Sequence, residues 1–339
     1  MKPARKFKAG LCFNLKHNAS HDDSEEEYDE PGTIDFLESR LASFGFQVIR
    51  FEQNNDVFSR LQTEKPGWVL NITEGKGNSR SRESQIPSVL EWLNIPYFGS
   101  DPVSLGISLD KGLTSRILSA SGIPVPAMFV IPDEEEIDTC LPQLDGKEYI
   151  VKPRWEGSSK GIFPSSIVRD PGKCREVVTK VLNDYRQPAV VEEFIDGDEI
   201  TVAVIGNEAP HVFGMMRISG SGARSGPFIY SLDNKREFRT KIKYELASDF
   251  LPAPVLDRLS ENAVRAFKCL ELRDIARIDF RVGGDNIPRI IDVNPLPGMS
   301  PDYSDLMLMS GLYHRDFPEV VDMILSISLR RNRIPEIPA

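Results

Sequence analysis

Histidine and cysteine, the side chains from which most zinc sites are built, are scarce here: four of each in 339 residues. Cys12, Cys140, Cys174 and Cys269 form no C-x-x-C pair. That spacing argues against a zinc site and a disulfide framework, and free buried thiols in a reducing cytosol are expected. No run of eighteen apolar residues occurs, so no membrane span is expected. The N-terminal stretch is charged and has no apolar h-region, so no signal peptide is read there and a cytoplasmic protein is expected. Basic excess is missing too. The net charge is −10 and the pI about 5.1, which speaks against a general nucleic-acid or anionic-membrane binder. Any phosphate-binding cations must therefore be local. There is no G-x-x-x-x-G-K-[ST] loop and no internal repeat.

The remainder has an ordinary globular balance, 40% apolar and 27% charged, with length for two or three domains. Strand and helix patterns alternate through the first hundred residues. Strands are predicted at 9–14, 47–51 and 68–72, a short one starts at Tyr97, and helices run from an N-cap at Thr33 to Gly45 and over 83–93. Alternation of this kind points to a parallel sheet covered by helices, with ligands beyond the strand C-termini. Between the first strand and helix lies the acidic run Asp22 to Glu30, which reads as a solvated or disordered loop. Further on, helices are expected at 110–120, 172–185, 254–270 and 317–329, and strands at 149–153, 189–195 and 199–205. Trp155 to Ile162 is a Gly/Ser loop whose backbone N–H groups can cradle phosphate. The stretch 217–243 has little periodicity and carries Lys235, Arg236, Arg239, Lys241 and Lys243. A basic lid over a site is the preferred reading.

The most informative stretch is Ala276 to Asp302. Arg277 to Val282 alternates at period two, Gly283 to Asn286 is a turn cluster, and Arg289 to Asn294 is a second strand. Asp292 and Asn294, two apart, share a face, and antiparallel pairing can bring Asp279 beside them. Two carboxylates and an amide oxygen are hard ligands suited to Mg²⁺. The alternative is an ordinary hairpin with polar outer faces.

Taken together these pieces resemble the ATP-grasp superfamily and, within it, the D-alanine–D-alanine ligases. The resemblance covers nearly the whole chain. It is carried by Asn94 to Ser100, Leu109-Asp110-Lys111, Val151-Lys152-Pro153 with Glu156-Gly157-Ser158-Ser159-x-Gly161, Val191 to Phe194, Arg277 to Phe280, and Asp292-Val293-Asn294-x-x-Pro297-Gly298-Met299. It implies an α/β (α+β ATP-grasp) fold. The parts would be an N-terminal Rossmann-like parallel-sheet domain (1–105), a central ATP-grasp subdomain (106–188) and a C-terminal one (189–339), both with antiparallel sheets. The cofactors implied are ATP and Mg²⁺, two ions, with Mn²⁺ as a substitute. Lys111 and Lys152 resemble the lysines on the ATP phosphates, and Glu156, Gly157, Ser158 and Ser159 the phosphate loop. Glu192, Glu193, Phe194 and Ile195 resemble the adenine hinge, and Glu199 the ribose carboxylate. Asp279, Asp292 and Asn294 resemble the metal ligands. Arg277 and the Gly298 N–H resemble the oxyanion donors, Lys235 the lid lysine that reaches the γ-phosphate, and Ser158 also falls at a catalytic position. The implied reaction is amide formation through an acyl phosphate, with small amino-acid or carboxylic-acid substrates. Dimers are common in that family, which leaves a homodimer open.

Departures cluster at the amino-acid pocket. The family's first loop brings a glutamate to the first substrate's amine, and nothing in Asn14 to Gly32 lets it be assigned. Glu74 stands where a histidine is usual. Asn78 to Ser84 replaces a G-E-D-G, which makes Arg80 or Arg82 a candidate for a substrate carboxylate. Arg236 replaces the lid tyrosine, and Tyr303, with Ser304 next to it, takes the place of the serine that receives the second substrate. Asp292 stands for a glutamate. The alternatives are a ligase joining an amino acid to another small acid, as in the mycosporine-type branch, and an inactive nucleotide-binding protein. Retention of Lys235, Arg277, Asp279 and Asn294 speaks against the latter.

Overall fold

Three separate sheets hold the strands of the computed structural model, which describes residues 7–17, 23–141, 144–222 and 228–335. The first is parallel, order β2-β1-β3, from β1 (Lys8–Phe13), β2 (Gln47–Glu52) and β3 (Trp68–Asn71). From Ala9 on, β1 is buried on both faces, as a central parallel strand must be. Gly10 is required there: a Cβ would sit 2.9 Å from Val69 Cγ2. The first helix spans Pro31–Ser43 with Glu30 as N-cap. The expected cap, Thr33, lies inside it, because Pro31 is preorganised for the first helical position. Tyr97 contributes a single bridge to Val69.

The second sheet is antiparallel, order β4-β7-β5-β6, from β4 (Met128–Ile131), β5 (Tyr149–Pro153), β6 (Ile167–Val168) and β7 (Ala189–Glu193). Helix Pro171–Tyr185 covers it, and the two share a core of their own that includes Val151, Val178, Val181 and Val191. The third sheet, order β10-β9-β8-β11-β12, contains β8 (Gly197–Gly206), β9 (His211–Gly220), β10 (Ile242–Leu246), β11 (Asp274–Gly283) and β12 (Pro288–Asn294). Alternation along β11 works as read. Ala276, Ile278, Phe280 and Val282 enter the core beneath helix Ala253–Cys269, leaving Arg277, Asp279 and Arg281 on the opposite face.

One helix ties the first and third sheets together. Phe317–Arg331 sends Val320, Val321, Ile324 and Leu325 into a core shared with Leu11, Leu37 and Trp68 on one side and Ala203, Ile205 and Met216 on the other. Phe36 stacks on Phe317 at 5.6 Å. Each fully buried side chain of this size contributes about 1.5–3 kcal/mol.

Three features depart from the sequence reading. Helices Val57–Glu64, Pro102–Leu109 and Asp305–Leu312 were not foreseen; each is about two turns long, too short for a period to show. The irregular segment is narrower than 217–243, since Arg217 to Gly220 finish β9 and Ile242 begins β10, paired with Gly220. Within it, Leu232–Arg236 and Phe238–Lys241 are short helices, and residues 223–227 lie outside the described part. Finally, the acidic run is an ordered turn rather than a solvated tail. Asp29 pairs by its backbone with Asn14 (3.0 Å) and Lys16 (2.9 Å), and the Glu27 side chain is only 6% exposed. Asp22 lies outside the described residues. Among the described residues the cysteines are free, Cys12 and Cys174 buried, and no helix is long and apolar enough to cross a membrane.

Candidate active site

A cleft opens between the second and third sheets. Its lining includes Lys111, Lys152, Glu156, Ser158, Ser159, Glu192 to Ile195, Glu199, Lys235, Arg277, Asp279 and Asp292. These come from six places in the chain, and most were singled out from the sequence. Glu193 also pairs with Lys147 at 3.2 Å.

At one end, Lys152 on β5 donates to Glu192 Oε1 on the neighbouring strand β7 at 2.8 Å, both side chains nearly inaccessible. Burial pushes the Glu192 carboxyl up, partly offset by Lys152. Its second oxygen, Oε2, is buried without any partner. Such an orphan costs about 1–3 kcal/mol and is an acceptor in want of a donor. Glu199, opening β8, is held by Arg281 at 3.0 Å, and that guanidinium lies 4.8 Å over the Phe194 ring. Arg281 was missed, though it shares the β11 face with Arg277 and Asp279.

At the other end, Asp279 and Asp292 face each other in the β11–β12 register, next to a bulge at Asp279/Phe280 that re-aims the strand. Lys111, the first residue of helix Lys111–Ala120, donates to both Asp292 oxygens at 2.9 Å. Burial alone would raise the Asp292 pKa, but Lys111 and Lys152 outweigh it and hold the carboxyl below its ordinary range. Asp279 accepts from the Thr201 hydroxyl and from Arg277 at 3.0–3.3 Å, and Arg277 also reaches Asp305 at 2.7 Å. Asn294 stands opposite Arg277 in the ladder, and its Oδ1 accepts the Leu296 N–H at 3.0 Å. Among the described residues no three His, Cys, Asp or Glu side chains converge as a metal cage. The Asp279–Asp292–Asn294 set supplies two carboxylates and one amide oxygen, a set that suits an ion whose other positions go to phosphate and water.

Lys235 enters from the short helix Leu232–Arg236. Its ammonium lies 5.1 Å from the Tyr230 ring and has no ion pair among the described residues. Burial and the nearby Arg277 charge hold its pKa below that of an ordinary amine.

The Gly/Ser loop is shaped differently from a free phosphate cradle. Ser158 and Ser159 both have positive φ, 48° and 59°, so the backbone turns as a concave nest. The Gly157 N–H, however, is spent on Glu27 Oε1 at 2.8 Å, and a Cβ at 157 would meet that oxygen at 2.6 Å. Glu27, from the acidic segment after β1, was not singled out from the sequence. It belongs to a buried ionic cluster: Arg82 bridges Glu27 (3.1 Å) and Glu156 (3.3 Å), Lys160 reaches Glu156 at 2.5 Å and Glu27 at 3.5 Å, and Gln187 donates to Glu156 at 2.7 Å. Arg82 and Glu156 are thus committed to each other rather than free for substrate or nucleotide. Replacing Arg82 with leucine leaves two buried carboxylates to share the single charge of Lys160, and a loss of about 3–5 kcal/mol in urea unfolding is expected. An unchanged midpoint would show the cluster to be energetically idle.

Other substrate candidates scatter. Arg80 is half-exposed, does not line the cleft, and lies 3.5 Å from Asp110, which Arg154 already chelates. Tyr303 is 42% exposed near the start of helix Pro31–Ser43. The Ser304 hydroxyl caps helix Asp305–Leu312, accepting from Met307 N–H at 3.2 Å and donating to Ser300 O at 2.6 Å. Gly298 is exposed, and a Cβ there would meet nothing closer than 3.8 Å, so packing does not demand glycine. Glu74 is fixed by Asn14 Oδ1, which accepts its N–H at 2.9 Å.

Residues 117–326 match the family profile described as D-ala D-ala ligase C-terminus. The chain is 30% identical to the D-alanine–D-alanine ligase of Moorella thermoacetica over 297 residues, 85% of this chain and 91% of that one. It is likewise 30% identical to the D-alanine–D-alanine ligase of Desulforamulus reducens over 84% of this chain and 88% of that one. Among solved structures, D-alanyl-alanine synthetase A from Vibrio cholerae superposes with a TM-score of 0.74, covering 96% of this chain and 100% of that one at 18% identity, a likeness of fold.

Proposed function

The chain belongs to the D-alanine–D-alanine ligase family of the ATP-grasp superfamily, and on that premise we propose that it activates a substrate carboxylate with ATP as an acyl phosphate and passes the acyl group to an amine. It is an ATP-dependent ligase that forms C–N bonds. The observation that carries the mechanism is the convergence of Lys111, Lys152, Lys235 and Arg277 on one cleft of a chain whose net charge is −10.

The residues fit the nucleotide. The orphaned Glu192 Oε2 is an acceptor for the exocyclic amine of adenine, against the walls of Phe194 and Ile195, and Glu199 is the carboxylate for the ribose hydroxyls. Triphosphate would draw Lys111 and Lys152 off their carboxylates, and Asp292, so released, would join Asp279 and Asn294 as an oxygen ligand set. Mg²⁺ held there would neutralise phosphate charge as the carboxylate attacks. Lys235, without an ion pair among the described residues, is suited to the transferring phosphoryl group. Arg277 is oriented by Asp279 and Asp305 to donate to the oxyanion of the tetrahedral intermediate, with the Gly298 N–H as second donor. Ser159 Oγ donates to Tyr230 O at 2.7 Å, which ties the phosphate loop to the lid and keeps water from the acyl phosphate.

The pocket differs from the D-alanine pattern at Glu74, Arg82 and Arg236, the last paired with Glu26 at 3.0 Å. A substrate pair other than two D-alanines is the second reading. A phosphate-release screen over pairs of D- and L-amino acids and other small acids tests both. Release that needs both partners is expected. Silence with D-alanine but turnover with another pair removes the cell-wall reading. ATP binding with no turnover across the panel favours an inactive nucleotide-binding protein.

A further inference from the structure

Arg277 is gripped by two carboxylates on different edges of its guanidinium. Asp279 takes the Nε and Nη2 donors at 3.0–3.3 Å, and Asp305 takes Nη1 at 2.7 Å. Asp279 belongs to the phosphate side of the cleft, since it faces Asp292 in the ladder and Asp292 holds Lys111. Asp305 comes from elsewhere, the first residue of helix Asp305–Leu312. That helix is firmly seated. Its cap, Ser304, is hydrogen-bonded to Ser300 O and Met307 N, and Leu306 and Met309 enter the core. Gly298 packs beside the same turn, where a Cβ would lie 3.8 Å from Ser304 Cβ. Asp305 is therefore next to both groups assigned to the oxyanion, the Arg277 guanidinium and the Gly298 N–H. Its side chain is 10% exposed and lines the cleft. Oδ2 accepts from Arg277, while Oδ1 has no hydrogen-bond donor among the described residues. A nearly buried carboxylate oxygen without a donor is an acceptor awaiting one.

In acyl transfer, two groups share the carbon that bears the oxyanion: the leaving phosphate and the entering amine. Lys111, Lys152, Lys235 and the Asp279–Asp292–Asn294 set account for the phosphate. They leave the amine without a holder, although it reaches a neutral solution mostly as an ammonium. Entering nitrogen and oxyanion are bonded to one carbon, so the nitrogen must come in close to Arg277, on the flank that phosphate does not occupy. Asp305 stands on that flank. We propose that Asp305 Oδ1 receives the ammonium of the second substrate, so that Asp305 is the acceptor-binding and specificity residue of the cleft. This rests on the ligase reading. One carboxylate then serves both partners of the bond-forming step: Oδ2 steadies the oxyanion donor, and Oδ1 places the nucleophile beside it.

The test separates the two half-reactions of the full chain with ATP and Mg²⁺. Hydroxylamine captures an acyl phosphate directly, so hydroxamate reads the first. Amide formation with glycine, D- and L-alanine, β-alanine or ethanolamine as acceptor reads the second. Asp305→Asn is near-isosteric and still accepts from Arg277, but has lost the charge that holds an ammonium. It should raise the acceptor KM about 10–100-fold, the usual worth of a hydrogen bond to a charged group. The loss in kcat/KM for the acceptor should exceed the loss in hydroxamate formation at least about 10-fold. Asp305→Glu keeps the charge and should hold the acceptor KM within about 10-fold of the parent. An unchanged acceptor KM with a lowered kcat means that Asp305 acts only through Arg277, and overturns the proposal. A rise confined to the KM of the donor acid places Asp305 at the first substrate, and overturns it as well. So does hydroxamate from the parent with no amine of the panel accepted. Absence of hydroxamate with every donor acid, together with absence of amide, sinks the ligase reading itself.

Discussion

Exchange of Asp279 for asparagine is expected to lower phosphate release by at least about 10³-fold while the melting temperature stays within a few degrees of the parent. The amide keeps an acceptor for the Thr201 hydroxyl and for Arg277, and Arg277 keeps its 2.7 Å contact with Asp305. What is lost is one full negative charge from the proposed oxygen ligand set, which has only two. Side-chain volume hardly changes, and the neighbours of Asp279 on β11 that fill the core, Ile278 and Phe280, are untouched. Turnover within tenfold of the parent would remove Asp279 from the chemistry. A collapse of the melting transition would show it to be chiefly a structural ion-pair partner of Arg277.

Exchange of Lys235 for methionine should move activity and stability in opposite directions. Phosphate release is expected to fall about 10²–10³-fold, the usual cost of removing one preorganised donor to developing charge. The folded protein, by contrast, should become more heat-stable at pH 7. Lys235 is a partly buried ammonium with no ion pair among the described residues, and burial and Arg277 lower its pKa from the ordinary 10.5. The charged form is therefore disfavoured by folding. That cost is fully present below the depressed pKa and fades as the pH rises toward the unfolded value near 10.5, so the gain from methionine should shrink over the same range. Melting curves at pH 7 and pH 10 check the sign. A variant less stable than the parent at pH 7 would mean that Lys235 has an anionic partner which the geometry does not show.

How much of this was legible in the sequence depended on how local the cause was. The β11–β12 hairpin was readable because alternation and a turn cluster are local, and with it the facing of Asp279 and Asp292. The lysines of the cleft were not readable from composition or period, since Lys111 and Lys152 look like any surface charge until the family pattern singles them out. The acidic run was misread for a definite reason. A string of carboxylates looks solvated unless its counter-charges are known, and those of Glu27 come from Arg82, Lys160 and the Gly157 N–H, 55 to 133 residues away. Helix Asp305–Leu312 hid Asp305, the second partner of Arg277, because two turns of mostly apolar residues show no face. Strand β9 was not read at all, because Gly214 and Gly220 interrupt it, though Met216 and Ile218 alternate between them.

The cores divide the cleft unequally. Its β8–β11 wall is fused through the C-terminal helix to the parallel sheet, whereas the β5–β7 wall has an apolar core that stops at its own helix. Parting the two walls would break the bonds that Glu156 makes to Arg82 and that Gly157 makes to Glu27, but would expose little hydrocarbon. Heat capacity distinguishes the two events. Unfolding must carry the large positive change that comes with hydrating apolar surface, while opening the cleft to release ADP should carry almost none. The temperature dependence of product release should accordingly follow a straight Eyring line over a range where the stability curve of the same protein bends.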